Sequence, residues 1–160
     1  MAPDGFLNGL APDQLARLKK LTDTFTEEEA QAFAAQVKWA SQARQKQKAP
    51  DGDWSVWCIL AGRGWGKTRT GAQDIVGYAM ANPEARCGVV APTQGDLRRV
   101  CFEGPSGLLN CVPKGCLWQG EGSAYNRTAM ELRLWNGSVI QDYISIEPTL
   151  FRGKQFPRVW

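Results

Sequence analysis

The chain has 160 residues, 43% of them hydrophobic and 22% charged, which suits one domain with a buried core and is too apolar for a disordered chain. A net charge of +3 is too small to point to nucleic-acid binding by itself. No apolar run approaches the roughly 20 residues of a membrane span, and cysteines without C-x-x-C spacing in a chain without histidine make a poor zinc site.

The cysteines are Cys58, Cys87, Cys101, Cys111 and Cys116. Their odd number and the lack of a signal peptide suggest a reducing compartment, with the thiols packed or lying on the surface. Residues 1–12 read as a loose lead-in. A short helix is expected over Asp13–Leu21, with Leu15, Leu18 and Leu21 as its apolar stripe. Thr26-Glu27-Glu28-Glu29 has the form of a capping box. It opens an amphipathic helix whose apolar face is expected to hold Ala30, Phe33, Ala34, Val37 and Ala40. Lys38, Arg44, Lys46 and Lys48 form a basic run without acids. It reads as a solvated helix end favoured by the helix dipole, or as a phosphate or DNA contact. Ala49-Pro50-Asp51-Gly52-Asp53 then breaks the helix.

Beyond that break the pattern changes. Trp54–Leu60 is short, apolar and partly β-branched, which predicts a buried strand. A helix is expected over Gly66–Met80, a second strand over Arg86–Ala91 up to Pro92, and a second helix over Gln94–Phe102. Strand, helix and strand in this order predict an α/β fold with a parallel sheet. Cys101–Asn126 carries no periodicity. Met130–Trp135 and Ser138–Ser145 flank Asn136-Gly137, a pair suited to the positive φ angles of a tight hairpin turn.

The segment joining the first strand and helix is Ala61-Gly62-Arg63-Gly64-Trp65-Gly66-Lys67-Thr68, which ends in the Gly-Lys-Thr of a Walker A loop. Its glycines let the backbone wrap a polyphosphate with N–H groups, and the following helix adds its N-terminal dipole. Lys67 supplies a mobile cation for the β- and γ-phosphates. Thr68 offers a hydroxyl to Mg²⁺. Ala61 stands where glycine is commoner. The cofactors implied are ATP and Mg²⁺.

These residues, with others in order along the chain, resemble the large terminase subunit of tailed bacteriophages. The blocks are Gly52-Asp53-Trp54 with Trp57, the loop continued through Arg69-Thr70-Gly71-Ala72, Val90-Ala91-Pro92-Thr93, Glu103–Leu109, Trp135–Ser138, and Leu150 with Arg152-Gly153. The resemblance covers about residues 21 to 160. It implies a P-loop NTPase of the RecA-like kind, with 1–50 as a helical lead-in and 51–160 as part of the ATPase domain. The Walker B carboxylates and the nuclease domain of the family have no counterpart in this sequence. The implied activity is ATP-driven movement of double-stranded viral DNA into a capsid, with slow hydrolysis expected for this chain alone. The implied partners are the DNA, a portal protein, a small terminase subunit and further copies of the chain in a ring, in the host cytoplasm and without a membrane.

The resemblance also carries residue roles. Lys67 and Thr68 keep those given above. Arg63 matches an arginine that senses or approaches the γ-phosphate, and its guanidinium suits a bidentate contact with phosphate oxygens. Arg152 matches an arginine finger reaching a neighbouring subunit's ATP. Gln45 or Gln47 could read the adenine edge, or be a solvated polar residue. Arg69 adjoins the loop, Arg98 and Arg99 could sense nucleotide or contact a neighbour, and Trp65 shields the loop or packs on the sheet. A non-enzymatic nucleotide-binding or assembly module is the alternative reading, and another P-loop ATPase such as a helicase is a third.

Overall fold

A computed structural model describes residues 11–160 apart from 14, 15, 17–19, 21, 53 and 146–154. Most of the helix expected at Asp13–Leu21, and the arginine-finger candidate Arg152, therefore lie outside the described residues.

The first fully described helix, α1, runs Glu27–Gln42. The capping box closes as expected: Thr26 N donates to Glu29 Oε2 at 2.9 Å and Glu29 N donates to Thr26 Oγ1 at 3.2 Å. Its buried face differs from the expected one. Ala30, Phe33 and Ala40 are exposed, and Ala32 is the buried residue of the helix. The helix docks instead through glutamines laid on glycines. A Cβ on Gly77 would come within 2.8 Å of Gln36, and one on Gly115 within 2.3 Å of Gln31. An alanine-rich helix has little apolar bulk to choose its own face, so close backbone approach chose it. The basic run does not end the helix either. The last turn of α1 has no basic residue, and Gln45–Gln47 forms a separate 3₁₀ turn.

Helix α2, Lys67–Ala81, is the buried spine, with Ala72, Ile75, Val76 and Ala79 fully covered. Strand β1, Arg86–Ala91, follows and is buried along most of its length, as a central strand covered on both faces should be. Thr93 caps α3, Gln94–Asp96, which widens into a π-helical turn over Leu97–Phe102. Strands β2 (Tyr125–Asn126), β3 (Glu131–Arg133), β4 (Val139–Ile144) and β5 (Arg158–Val159) complete the sheet.

The strand order is β2-β3-β4-β1-β5. β1 lies parallel to β4 and to β5, and β2-β3-β4 run antiparallel. The protein is thus α/β with a mixed five-stranded sheet. β1, β4 and β5 make the parallel part expected from the strand-helix-strand order, and the hairpin expected at Asn136-Gly137 adds the antiparallel part, whose neighbours need only a short turn. The turn of that hairpin differs from expectation. Gly137 N donates to Leu134 O at 3.1 Å and Gly137 alone takes a positive φ (80°), so three residues make the connection. Asn136 instead points its amide at the end of α2, donating to the carbonyls of Ala79 (2.9 Å) and Met80 (3.2 Å). This holds the hairpin to the helix and satisfies carbonyls that the helix leaves open.

The strand expected at Trp54–Leu60 does not form. The segment takes no regular structure and pairs with no strand among the described residues, with Val56 83% and Leu60 92% exposed. A cavity of about 470 Å³ is lined both by this segment and by the outer side of β5. A strand needs a neighbouring edge to satisfy its backbone, and no described strand hydrogen-bonds to this one. Its anchor is aromatic: Arg158, paired with Asp74 of α2 at 3.0 Å, has its guanidinium 4.5 Å from the Trp54 ring centroid and 5.2 Å from that of Tyr78. Among the described residues, no helix is long and apolar enough to cross a membrane.

Candidate functional site

The glycine loop leaves this unpaired segment and turns directly into α2. Gly64 and Gly66 take φ of 78° and 95°, the left-handed region that only glycine enters without strain. Gly66 is the N-cap of α2 and has no side chain with which to satisfy the first turn. Apart from the turn at Arg63–Gly64, no main-chain N–H from Gly62 through Arg69 makes a well-aligned hydrogen bond to another group among the described residues. The loop is a row of open donors set on the positive end of a 15-residue helix.

Lys67 bends back over this row. Its Nζ donates to the carbonyls of Ala61 at 2.8 Å and Gly62 at 2.9 Å. The ammonium therefore lies at the loop, away from the core. Thr68 is half-buried one residue further on, and its hydroxyl has no protein partner among the described residues. Arg63 is exposed at the loop's outer side, with no ion pair among the described residues. Arg69 turns sideways, Nη1 donating to the Asn110 carbonyl at 3.1 Å, which ties the first turn of α2 to the 3₁₀ turn Leu108–Asn110. Arg98 and Arg99 lie on the π-helical turn, where Arg99 Nε reaches the Gly95 carbonyl at 3.5 Å.

The loop is held from outside by the 3₁₀ turn that follows α1. The Trp65 carbonyl accepts hydrogen bonds from Arg44 Nη2 and from Gln47 Nε2, the latter at 3.2 Å. Gln47 Oε1 accepts from both Arg44 N (3.1 Å) and Arg44 Nε (3.2 Å), so the two side chains brace each other. The Arg44 guanidinium also lies 5.4 Å from the Trp65 ring centroid. Gln47 is buried, whereas Gln45 is exposed, which separates two residues that were equivalent in the sequence. Arg44 was legible only as one charge of a basic run. No local signal shows that a residue 21 positions upstream reaches the Trp65 carbonyl.

The structure thus brings Ala61–Arg69 and Gln47 together. Chemically, the arrangement offers main-chain donors, a helix dipole, one ammonium and one free hydroxyl within a short stretch. Such a donor set fits a polyanion bound to a hard cation. Compared with known proteins, the chain matches no protein-family model, no curated protein and no solved structure.

Proposed function

We propose that the loop Ala61–Thr68 binds the triphosphate of ATP together with Mg²⁺, and that the α/β core is a P-loop NTPase fold. The observation that carries this reading is the cluster of open main-chain donors between Gly62 and Arg69 at the start of α2, with the Lys67 ammonium beside it. These residues are exposed or half-buried, so their donors are within reach of a ligand, and a row of main-chain N–H groups at a helix N-terminus is suited to an anion.

In this reading the amides and Lys67 hold the β- and γ-phosphates, Thr68 contributes its hydroxyl to Mg²⁺, and Arg63 approaches the γ-phosphate from outside. Mg²⁺ supplies charge neutralisation of the phosphate oxygens. Lys67 must release the Ala61 and Gly62 carbonyls to reach a phosphate, exchanging two neutral acceptors for a charged one. The order of motifs along the chain supports the wider reading: a terminase large-subunit relative that moves double-stranded DNA through a portal as a ring, with Arg152 reaching a neighbouring copy and a small subunit presenting the DNA.

Titration calorimetry with ATP and Mg²⁺ tests the site. Wild type binds and Lys67→Ala weakens binding by about tenfold to a hundredfold, the size of a charge-assisted contact. Equal affinity in the two proteins would refute the assignment. Phosphate release measured in parallel separates an ATPase from a module that only binds nucleotide.

A further inference from the structure

The contacts of the 3₁₀ turn with the loop have a directional consequence. A trans peptide unit places its C=O and the following N–H on opposite sides of the chain. The Trp65 carbonyl is drawn toward Arg44 and Gln47, so the Gly66 N–H is aimed away from them. Gly66 must also lack a side chain for this to hold, since a Cβ there would lie 2.9 Å from Gln47 Nε2. The turn therefore fixes one of the loop's donors without touching any ligand.

The same bonds account for most of the Gln47 carboxamide. A glutamine amide has two acceptor sites and two donor sites. Both acceptor sites are filled by Arg44, and one donor site is filled by the Trp65 carbonyl. A base edge recognised by glutamine needs an acceptor and a donor side by side. Only a single N–H remains, so reading a base would mean giving up the brace that holds the loop.

We infer that Arg44 and Gln47 are positioning residues that hold the loop open for a polyphosphate, and that Gln47 does not discriminate between nucleobases. This rests on the polyphosphate reading of the loop. Arg44 acts through the Trp65 carbonyl, and its cation–π contact with the Trp65 ring resists rotation of the same peptide unit.

The test titrates ATP, GTP and inorganic tripolyphosphate, each with Mg²⁺, into wild type, Arg44→Ala and Gln47→Ala, and follows tryptic cleavage after Arg63 without ligand. Arg44 is exposed, so its truncation leaves the core intact even if Gln47→Ala disturbs folding. The expected result is that both variants lose about fivefold or more in affinity for all three ligands by the same factor, as loss of one or two hydrogen bonds would give. Cleavage after Arg63 speeds up in both. Loss of ATP affinity alone, with GTP and tripolyphosphate unchanged, would make Gln47 a base reader and overturn the inference. Unchanged affinities with unchanged cleavage would overturn it as well. If wild type binds none of the three ligands, the polyphosphate reading falls, and the brace is then judged by cleavage alone: faster in the variants supports it, unchanged sinks it.

Discussion

Strand β1 and the segment Trp54–Leu60 are both short apolar runs next to α2, and they end up in opposite states. β1 has a parallel neighbour on each side and is nearly all buried. Trp54–Leu60 has no ladder partner among the described residues and turns Val56 and Leu60 to solvent. The difference shows that apolar composition makes a strand possible, whereas a neighbouring edge makes it form. It also divides the molecule by task. The region around β1 uses its backbone groups on itself and supplies stability. The loop that follows Trp54–Leu60 leaves most of its main-chain donors open, and it is there that the proposed polyphosphate site lies.

The largest effect that would sharpen this contrast is in the sheet. Leu132 is fully buried in β3. Leu132→Ala is expected to cost about 2–5 kcal/mol in chemical denaturation, and a loss under ~1 kcal/mol would mean that the hairpin is not part of the core.

Next comes the loop's own geometry. Gly66→Ala puts a side chain at φ 95° and against Gln47. A cost of about 1–2 kcal/mol is expected, with weaker ATP binding measured by calorimetry. Binding at wild-type strength would show that the left-handed turn is dispensable.

Thiol chemistry probes the same division. Cys87, Cys101, Cys111 and Cys116 are buried, and burial pushes each thiol up to about 11, while Cys58 on the unpaired segment is exposed. Alkylation of native protein near pH 8 should label Cys58 alone, read by mass spectrometry. The sign of the pH effect follows. Between the ordinary thiol value of 9.0 and about 11, the unfolded chain has lost protons that the folded protein keeps. The stability these thiols lend is complete below pH 9 and is lost as pH rises toward 11, so the melting temperature should fall over that window. A flat profile would mean that the thiols are accessible.

The smallest effect belongs to the unpaired segment. Val56→Ser and Leu60→Ser should each change stability by no more than about 0.5 kcal/mol, as surface substitutions do. A loss above ~1.5 kcal/mol for Leu60→Ser would place this segment in a packed sheet and erase the contrast with β1.

Much of the architecture was legible in local chemistry. The Thr26–Glu29 box, helix α2 and strand β1 each follow from contacts within a few residues, and so does the tight bend at Gly64 and Gly66. The readings that failed depended on something distant. The face of α1 was set by Gly77 and Gly115, the turn at Asn136 by the carbonyls of α2, and the state of Trp54–Leu60 by the lack of a paired edge among the described residues.

The sequence alone determined that a glycine-rich turn ending in Lys67 and Thr68 opens a helix, because φ preferences and capping act between near neighbours. Tertiary structure decided which glutamine reaches the loop, how the Trp65 peptide is oriented and which apolar run is paired. Those outcomes depend on hydrogen bonds between residues 18 or more positions apart, whose partners no local pattern encodes.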